Sequence, residues 1–108
     1  MRIAILGGTG KEGSGLALRW ANAGHQVIIG SRDAEKATRV AEELNLALGE
    51  VGGRISGAGN LEAAQAGEVV VLTVPYSAHA ATLENARAAL TGKVLIDVTV
   101  PVNPADIT

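Results

Sequence analysis

Short apolar runs alternate along the chain with longer segments in which apolar residues recur every three or four positions. The short runs have the character of buried strands, and the longer segments have the period of amphipathic helices. Such alternation is typical of a parallel sheet covered by crossover helices. It predicts strands at residues 3–6, 26–30, 68–74 and 94–98, with at best a short edge strand at 54–56. It predicts helices at residues 11–23, 34–48, 60–66 and 77–90.

Two of the predicted helices have clear amphipathic faces. Asp33 has the residue type of an N-cap, because its carboxylate can accept hydrogen bonds from the first backbone N–H groups. The helix after it has an apolar stripe made of Ala34, Ala37, Ala41, Leu44 and Leu48. Its polar face, interpreted as a solvated surface, consists of Glu35, Arg39, Glu42, Glu43 and Asn45. The first helix carries Gly13, Leu16, Trp20 and Ala23 along one side, and Trp20 is interpreted as a core residue.

Composition limits the class of protein. A chain of 108 residues has the size of one domain, and its 47% hydrophobic content suits a buried parallel sheet. One Trp, one Tyr and no Phe require an aliphatic core. The net charge of −2, with scattered Lys and Arg, gives no support for binding to nucleic acid or to an anionic membrane.

Cysteine is absent, which excludes disulfides, thiol catalysis and thiolate metal sites. The apolar run at residues 69–74 is far shorter than the about 20 residues that cross a bilayer. The first predicted strand starts at the N-terminus and leaves no room for a signal peptide, so we expect a cytoplasmic protein. The sequence gives no sign of a nucleophile with its base, of paired carboxylates or of a metal cluster.

A glycine-rich loop connects the first predicted strand to the first helix. It reads Gly8, Thr9, Gly10, Lys11, Glu12 and Gly13, which is the Gly-x-Gly-x-x-Gly spacing of dinucleotide-binding sites. In such loops the three glycines respectively allow the turn, leave room for a pyrophosphate and let the helix pack closely on the sheet. The N–H groups of Gly10, Lys11 and Glu12 are candidate phosphate ligands, with the Thr9 hydroxyl nearby. The alternative is a surface turn without ligand. The strand-turn-helix context favours a Rossmann-type fold, a doubly wound parallel sheet with three α/β/α layers in a single domain.

The residues after the second predicted strand indicate which dinucleotide is bound. Enzymes that use NAD place an Asp or Glu there for the ribose hydroxyls, whereas this chain has Ser31 followed by Arg32, with Lys36 one helical turn later. A hydroxyl, a guanidinium and an ammonium suit the 2′-phosphate of NADP(H). The nearby Asp33 is assigned to the helix cap. The alternative for Arg32 and Lys36 is ordinary surface charge.

At the other end of the predicted cleft, residues 73–76 and 98–101 follow two strands and are expected beside the nicotinamide. Tyr76 and His79 are candidate acid, base or stacking groups. However, His79 shares an apolar stripe with Leu83 and Ala86, which favours a structural role. His25 lies in a turn and is also interpreted as structural. No catalytic side chain is assigned.

Several of these segments resemble the N-terminal half of NADPH-dependent coenzyme F420 reductases. They are MRIAILGGTG at residues 1–10, GLALR at 15–19, GSR at 30–32 with Lys36, LTVPY at 72–76 and Val100 with Pro101. The resemblance covers essentially the whole chain. It implies hydride transfer between NADPH and the deazaflavin coenzyme F420 in dimeric cytoplasmic enzymes.

Carried onto this sequence, the resemblance implies an NADP site that adds Val74, Pro75 and Val100 to the loop and to the cationic residues. It also implies that residues 1–108 are the NADP-binding domain, and that the family's second, mostly helical region for the deazaflavin and the dimer interface is missing. Two alternatives remain open. One is a non-catalytic NADPH-binding module or a truncated fragment. The other is a reductase of similar fold that acts on an imine, a keto acid or a metal ion.

Overall fold

The computed structural model describes residues 1–49, 55–73, 82, 84, 87–90 and 92–97 of the chain. The strands are β1 (Arg2–Leu6), β2 (Gln26–Ser31), β3 (Ile55–Gly59), β4 (Val69–Leu72) and β5 (Val94–Asp97). The helices are α1 (Lys11–Asn22), α2 (Ala34–Leu48) and α3 (Asn60–Ala66), followed by a short 3-10 turn at Arg87–Ala89. The predicted alternation of strands and helices is therefore confirmed: α2 and α3 have the predicted bounds, and the described bounds of α1, β1, β2 and β4 differ from the prediction by one or two residues.

The five strands form one sheet in the order β3-β2-β1-β4-β5, and every neighbouring pair is parallel. Leu6 at the end of β1 is level with Gly30 on β2 and with Leu72 on β4. The carboxyl ends of the three central strands therefore lie at one edge of the sheet. The chain runs outward from β1 to β3, then returns to the other side of β1 with β4. The point where the strand order reverses thus lies between β1 and β4, which is where such sheets bind ligands.

Helices cover both faces of the sheet, which confirms the three-layer prediction. On one face, α1 and α2 pack against alternate residues of the central strands, including Ile3, Ile5, Val27 and Ile29. On the other face, α3 and the Arg87–Ala89 turn cover the remaining alternate residues of β1 and β4. In the described part of the chain, the fully buried large side chains are all Ile, Leu or Val, so the core is aliphatic as expected.

Strand β3 is longer than the sequence indicates. It continues through Gly57 to Gly59, although glycine is unfavourable in strands. Glycine is required at position 57 by a contact between β3 and α2, because a Cβ atom on Gly57 would collide with the backbone of Ala37. The α2 helix therefore lies directly against β3, and only glycine allows that approach.

Two further details of the packing differ from the sequence prediction. The buried line of α1 runs through Gly13, Ala17 and Ala21, while Ala23 is exposed and Trp20 packs at the margin of the core. Asn45, assigned to the solvated face of α2, instead makes hydrogen bonds to the backbone of β3.

The predicted helix at residues 77–90 falls mostly outside the described residues. Thr82 and Glu84 are helical, whereas Arg87–Ala89 forms a 3-10 turn and Leu90 lies beyond it. The extended segment at residues 99–104 lies outside the described residues as well. Within the part of the chain that is described, no helix is long and apolar enough to cross a membrane.

The side chains of Lys93 and Arg2 bind carbonyl groups at the carboxyl end of α3, at the edge of the sheet where the strands begin. The Nζ atom of Lys93 donates to the carbonyl oxygens of Gln65 and Gly67, each at 2.7 Å, and to that of Ala64. The Nε atom of Arg2 donates to the carbonyl of Ala66 at 3.0 Å. Carbonyls at a helix end lack partners within the helix, so these contacts fix the short α3 against the sheet.

Candidate functional site

The loop between β1 and α1 turns at Gly7, one residue before the glycine that the sequence indicates. Gly7 has a φ of 72°, a left-handed conformation that strongly favours glycine, whereas Gly8 has no positive φ. The prediction that Gly8 allows the turn is therefore wrong. Gly8 is needed for space, because a Cβ atom there would lie 2.7 Å from Ile29 Cγ2 and 2.9 Å from the Ile5 carbonyl.

The next two glycines of the loop have opposite surroundings. A Cβ atom on Gly13 would lie 2.7 Å from Gly8 Cα and 3.0 Å from Thr73 Oγ1, so the start of α1 packs tightly on the loop. A Cβ atom on Gly10 would have only the Gly7 carbonyl within reach, at 4.0 Å. The position of a Cβ atom on Gly10 is therefore almost free of neighbouring atoms, and the backbone is open there.

The amino end of α1 follows directly on this open space. Gly10 is the N-cap residue and supplies no side-chain hydrogen bond, and the backbone N–H of Ser14 donates to the Gly10 carbonyl at 2.9 Å. The N–H groups of Lys11, Glu12 and Gly13 belong to the first turn, where a helix has no internal acceptors for them. The partial positive charge of a helix N-terminus and these donors suit an anion.

Two side chains from outside the glycine-rich loop form hydrogen bonds with the Gly7 peptide groups. The Oδ1 atom of Asn60 accepts from the Gly7 N–H at 3.3 Å, and Asn60 is only 4% exposed. The Thr73 hydroxyl shares its hydrogen between the carbonyls of Leu6 at 3.0 Å and Gly7 at 3.2 Å. These residues are 53 and 66 positions from Gly7 along the chain, so no local pattern could have indicated them.

The loop is also tied to the second strand. The Gly8 N–H donates to the Gly30 carbonyl at 3.0 Å, and the Ser14 hydroxyl donates to the Gly8 carbonyl at 3.3 Å. Gly30 immediately precedes Ser31, the last residue of β2. The glycine loop and the predicted phosphate-binding residues therefore follow neighbouring strands at the same edge of the sheet.

After β2, Asp33 caps the following helix, whereas Arg32 and Lys36 are cationic side chains on the surface. The Asp33 carboxylate accepts from the N–H groups of Glu35 at 3.0 Å and Lys36 at 3.2 Å, which confirms its assignment as the N-cap of α2. The Ser31 hydroxyl accepts from the Asp33 N–H at 3.2 Å and retains its own hydrogen to donate. Arg32 and Lys36 are exposed, and neither forms an ion pair with another residue that the structure describes.

Several candidate residues lie outside the described residues: Val74, Pro75, Tyr76, His79 and Val100. Their expected place beside the nicotinamide therefore stays a prediction. His25 is partly buried, and its backbone N–H donates to the Trp20 carbonyl at 3.1 Å. In the described ranges, no group of three or more His, Cys, Asp or Glu side chains could hold a metal ion.

Comparison with known proteins agrees with this geometry. Residues 2–101 match the family model described as NADP oxidoreductase, coenzyme F420-dependent. The chain is 53% identical over 103 residues to an F420-dependent NADP reductase of Methanothermobacter marburgensis, covering 95% of this chain and 46% of that protein. It is 42% identical over 107 residues to the F420-dependent NADP reductase of Methanocaldococcus jannaschii, covering 97% of this chain and 48% of the other.

A solved structure shows the same fold. It comes from Arthrobacter sp. FB24 and carries a provisional description as an F420-dependent NADP reductase. The two chains superpose with a TM-score of 0.77 at 28% identity, over 94% of this chain and 46% of the other. The chain thus spans about half the length of the curated relatives it matches.

Proposed function

Because this chain belongs to the family of coenzyme F420-dependent NADP oxidoreductases, we propose that it binds NADP(H) for hydride transfer to or from the deazaflavin coenzyme F420. The observation that carries the proposal is the end of β1. There an open glycine loop leads into the amino end of a helix, next to two cations with no ion-pair partner among the described residues. The F420 part of the proposal rests on the family alone.

The glycine loop fits a pyrophosphate. Gly10 leaves space that any side chain would reduce, and the first-turn N–H groups of Lys11, Glu12 and Gly13 are donors suited to phosphate oxygens. The Thr9 hydroxyl is half-buried in the same loop and can add a further donor. Backbone donors also explain why the acidic side chain of Glu12 is tolerated in this turn, since the contacts come from the main chain.

The residues after β2 fit the 2′-phosphate that distinguishes NADP(H) from NAD(H). Arg32 and Lys36 can supply two charged donors and Ser31 a hydroxyl, beside the amino end of the 15-residue α2. The acidic group close by, Asp33, is engaged by its own helix. Because capping fixes one carboxylate oxygen of Asp33 at the start of α2, we assign this residue to the helix rather than to the ribose, and the cations beside it favour the phosphorylated dinucleotide.

When bound, NADPH would supply the hydride, or NADP⁺ would accept it, and the chain's own residues would bind and orient the dinucleotide. Hydride transfer depends on the alignment of two rings more than on an acid or a base, so no catalytic side chain is required of this domain. The residues predicted near the nicotinamide are Val74, Pro75 and Val100, whose apolar side chains would exclude water. We further propose a cytoplasmic location, and a homodimer whose interface residues lie in the part of the relatives that this chain does not match.

The cofactor proposal is tested by calorimetric titration of the purified protein with NADP⁺ and NAD⁺. Arg32→Ala should weaken NADP⁺ binding by about 10- to 100-fold and NAD⁺ binding much less, because a hydrogen bond to a charged group contributes about 1.5–3 kcal/mol. Arg39→Ala, at an exposed position of α2, is the matched control and should leave both affinities unchanged. Equal losses for both dinucleotides would refute the phosphate assignment.

The activity is tested separately by mixing NADPH and oxidised coenzyme F420 with a protein of the relatives' full length that contains this chain. A decrease in deazaflavin absorbance that depends on NADPH supports the proposed reaction. No decrease, in a protein that binds NADP⁺, would rule out F420 as the acceptor and leave the cofactor assignment standing.

A further inference from the structure

We infer that Asn60 and Thr73 are positioning residues for the cofactor, acting through the Gly7 peptide groups rather than by touching the ligand. This inference rests on the proposed function, because it concerns the loop that would bind the pyrophosphate. Neither residue belongs to the Gly-x-Gly-x-x-Gly segment. Asn60 starts α3, and Thr73 follows β4 on the other side of β1.

The side chain of Asn60 binds the N–H of Gly7, and the side chain of Thr73 binds its carbonyl. Asn60 accepts from the Gly7 N–H at 3.3 Å, while Thr73 donates to the Gly7 carbonyl at 3.2 Å and to the carbonyl of Leu6 at 3.0 Å. The backbone N–H of Thr73 also donates to the Leu6 carbonyl at 3.0 Å. The peptide groups on both sides of Gly7 are therefore fixed by residues from two different elements.

Gly7 has no side chain to limit its backbone, and its φ of 72° is one of several conformations open to glycine. The bond from the Gly8 N–H to Gly30 holds one side of the turn, and Asn60 and Thr73 add the contacts that limit Gly7 itself. Ordering those residues on binding would reduce the affinity for the ligand. A loop already fixed by Asn60 and Thr73 presents the first N–H groups of α1 without that loss.

Gly30 in β2 leaves the space that the Asn60 side chain needs to reach Gly7. A Cβ atom on Gly30 would lie 2.8 Å from Asn60 Oδ1 and 3.0 Å from Ala63 Cβ. Any side chain at position 30 would therefore displace the Asn60 amide from Gly7. The glycine that precedes Ser31 and Arg32 thus makes room for a residue that acts on the loop proposed to bind the pyrophosphate.

The test compares two ligands in matched variants. Adenosine 2′-monophosphate carries the phosphate proposed for Ser31, Arg32 and Lys36 but no pyrophosphate. Asn60→Leu and Thr73→Val should each weaken NADP⁺ binding about tenfold and change binding of adenosine 2′-monophosphate less than twofold. Thr73→Ser, which keeps the hydroxyl, should restore NADP⁺ affinity, a rescue that a purely structural role in packing the methyl group would not give.

The controls are Asn22→Leu and Thr38→Val, which make the same substitutions at exposed helix positions. If Asn60→Leu does not fold, the NADP⁺ affinities of Thr73→Val and Thr73→Ser alone decide whether the hydroxyl positions the loop. Equal weakening of both ligands, or no weakening of NADP⁺, overturns the inference.

Hydrogen exchange at the Gly7 amide separates this inference from the proposed function. Asn60→Leu should speed exchange of the Gly7 amide at least tenfold and leave that of Gly8, which donates to Gly30, unchanged. If the wild-type protein binds neither ligand, the proposed function fails, and the inference fails with it as a statement about the cofactor. If the protein binds NADP⁺ but Gly7 exchange is the same in both proteins, only the inference about Asn60 is overturned.

Discussion

The side-chain amide of Asn45 forms hydrogen bonds in both directions with the backbone of Ile55. Its Nδ2 atom donates to the Ile55 carbonyl at 2.7 Å, and its Oδ1 atom accepts from the Ile55 N–H at 3.0 Å. Ile55 is the first residue of β3, which lies at one edge of the sheet, and Asn45 lies in the last turn of α2. These two hydrogen bonds thus fix the position of the first residue of β3 relative to α2, the helix that packs on it.

Removing this amide should loosen the edge of the sheet. Asn45→Ala is expected to lower the free energy of unfolding by about 2 kcal/mol, because two hydrogen bonds are lost and a backbone donor and acceptor are left without partners. Glu42→Ala, exposed on the same helix, should change it by less than about 0.5 kcal/mol. Urea denaturation of both variants measures the difference. Similar small effects would show that Asn45 contributes no more than a surface residue.

The sequence predicts most of the fold because the period of apolar residues is a local signal. The regular stripe of α2 and its Asp33 cap appear in the structure as expected, with Ala37 and Ala41 buried. It predicts β3 poorly, because glycine weakens the strand signal and the reason for Gly57 is the backbone of Ala37, which lies 20 positions earlier. The sequence pattern places Asn45 on a solvated face for the same reason, since its hydrogen-bond partner Ile55 is on another element.

In the candidate site, too, the sequence indicates local motifs but not contacts between distant elements. The spacing of glycines and the residues after β2 are local motifs, and the sequence indicates them directly. The sequence does not separate the roles of Gly7 and Gly8, because either glycine could take the left-handed conformation, and only the structure shows that Gly7 takes it. Asn60 has no such local signal, because its contact with Gly7 depends on how α3 packs on the sheet.

Two glycines in α1 should respond oppositely to the same substitution. In Gly13→Ala the new methyl group would lie 2.7 Å from Gly8 Cα, so we expect a loss of about 2 kcal/mol in stability. In Gly15→Ala the methyl group meets no atom within 4 Å, and alanine should stabilise the helix by about 0.5–1 kcal/mol. Thermal unfolding compares the two. If Gly13→Ala is as stable as Gly15→Ala, α1 does not pack on the loop as the structure shows.

Lys93 should stabilise the chain more than an ordinary surface lysine. Its ammonium group donates to the carbonyls of Gln65 and Gly67 at 2.7 Å, where α3 ends. Lys93→Met keeps most of the aliphatic stem but removes these charged donors, and we expect it to lower the free energy of unfolding by about 2 kcal/mol. Lys36→Met, at an exposed position of α2, is the control and should change stability little. Equal stabilities of the two variants in urea would contradict a specific role for Lys93.

Asp33 offers a test that separates helix capping from cofactor binding. Its carboxylate accepts from the N–H groups of Glu35 and Lys36, so Asp33→Ala should cost about 1 kcal/mol in stability. Asp33→Ser, which keeps an acceptor at the cap, should stay within a few tenths of a kcal/mol of the parent.

Binding measurements on the same variants complete that test. If Asp33 only caps α2, NAD⁺ affinity should change less than twofold in Asp33→Ser. NADP⁺ affinity should hold or rise, since a negative charge next to Arg32 has been removed. A tenfold loss of NAD⁺ affinity in Asp33→Ser, with unchanged stability, would instead show that the carboxylate binds the ribose, as the acidic residue after the second strand does in NAD-dependent enzymes. The preference for the phosphorylated dinucleotide would then need another explanation than the one given by Ser31, Arg32 and Lys36.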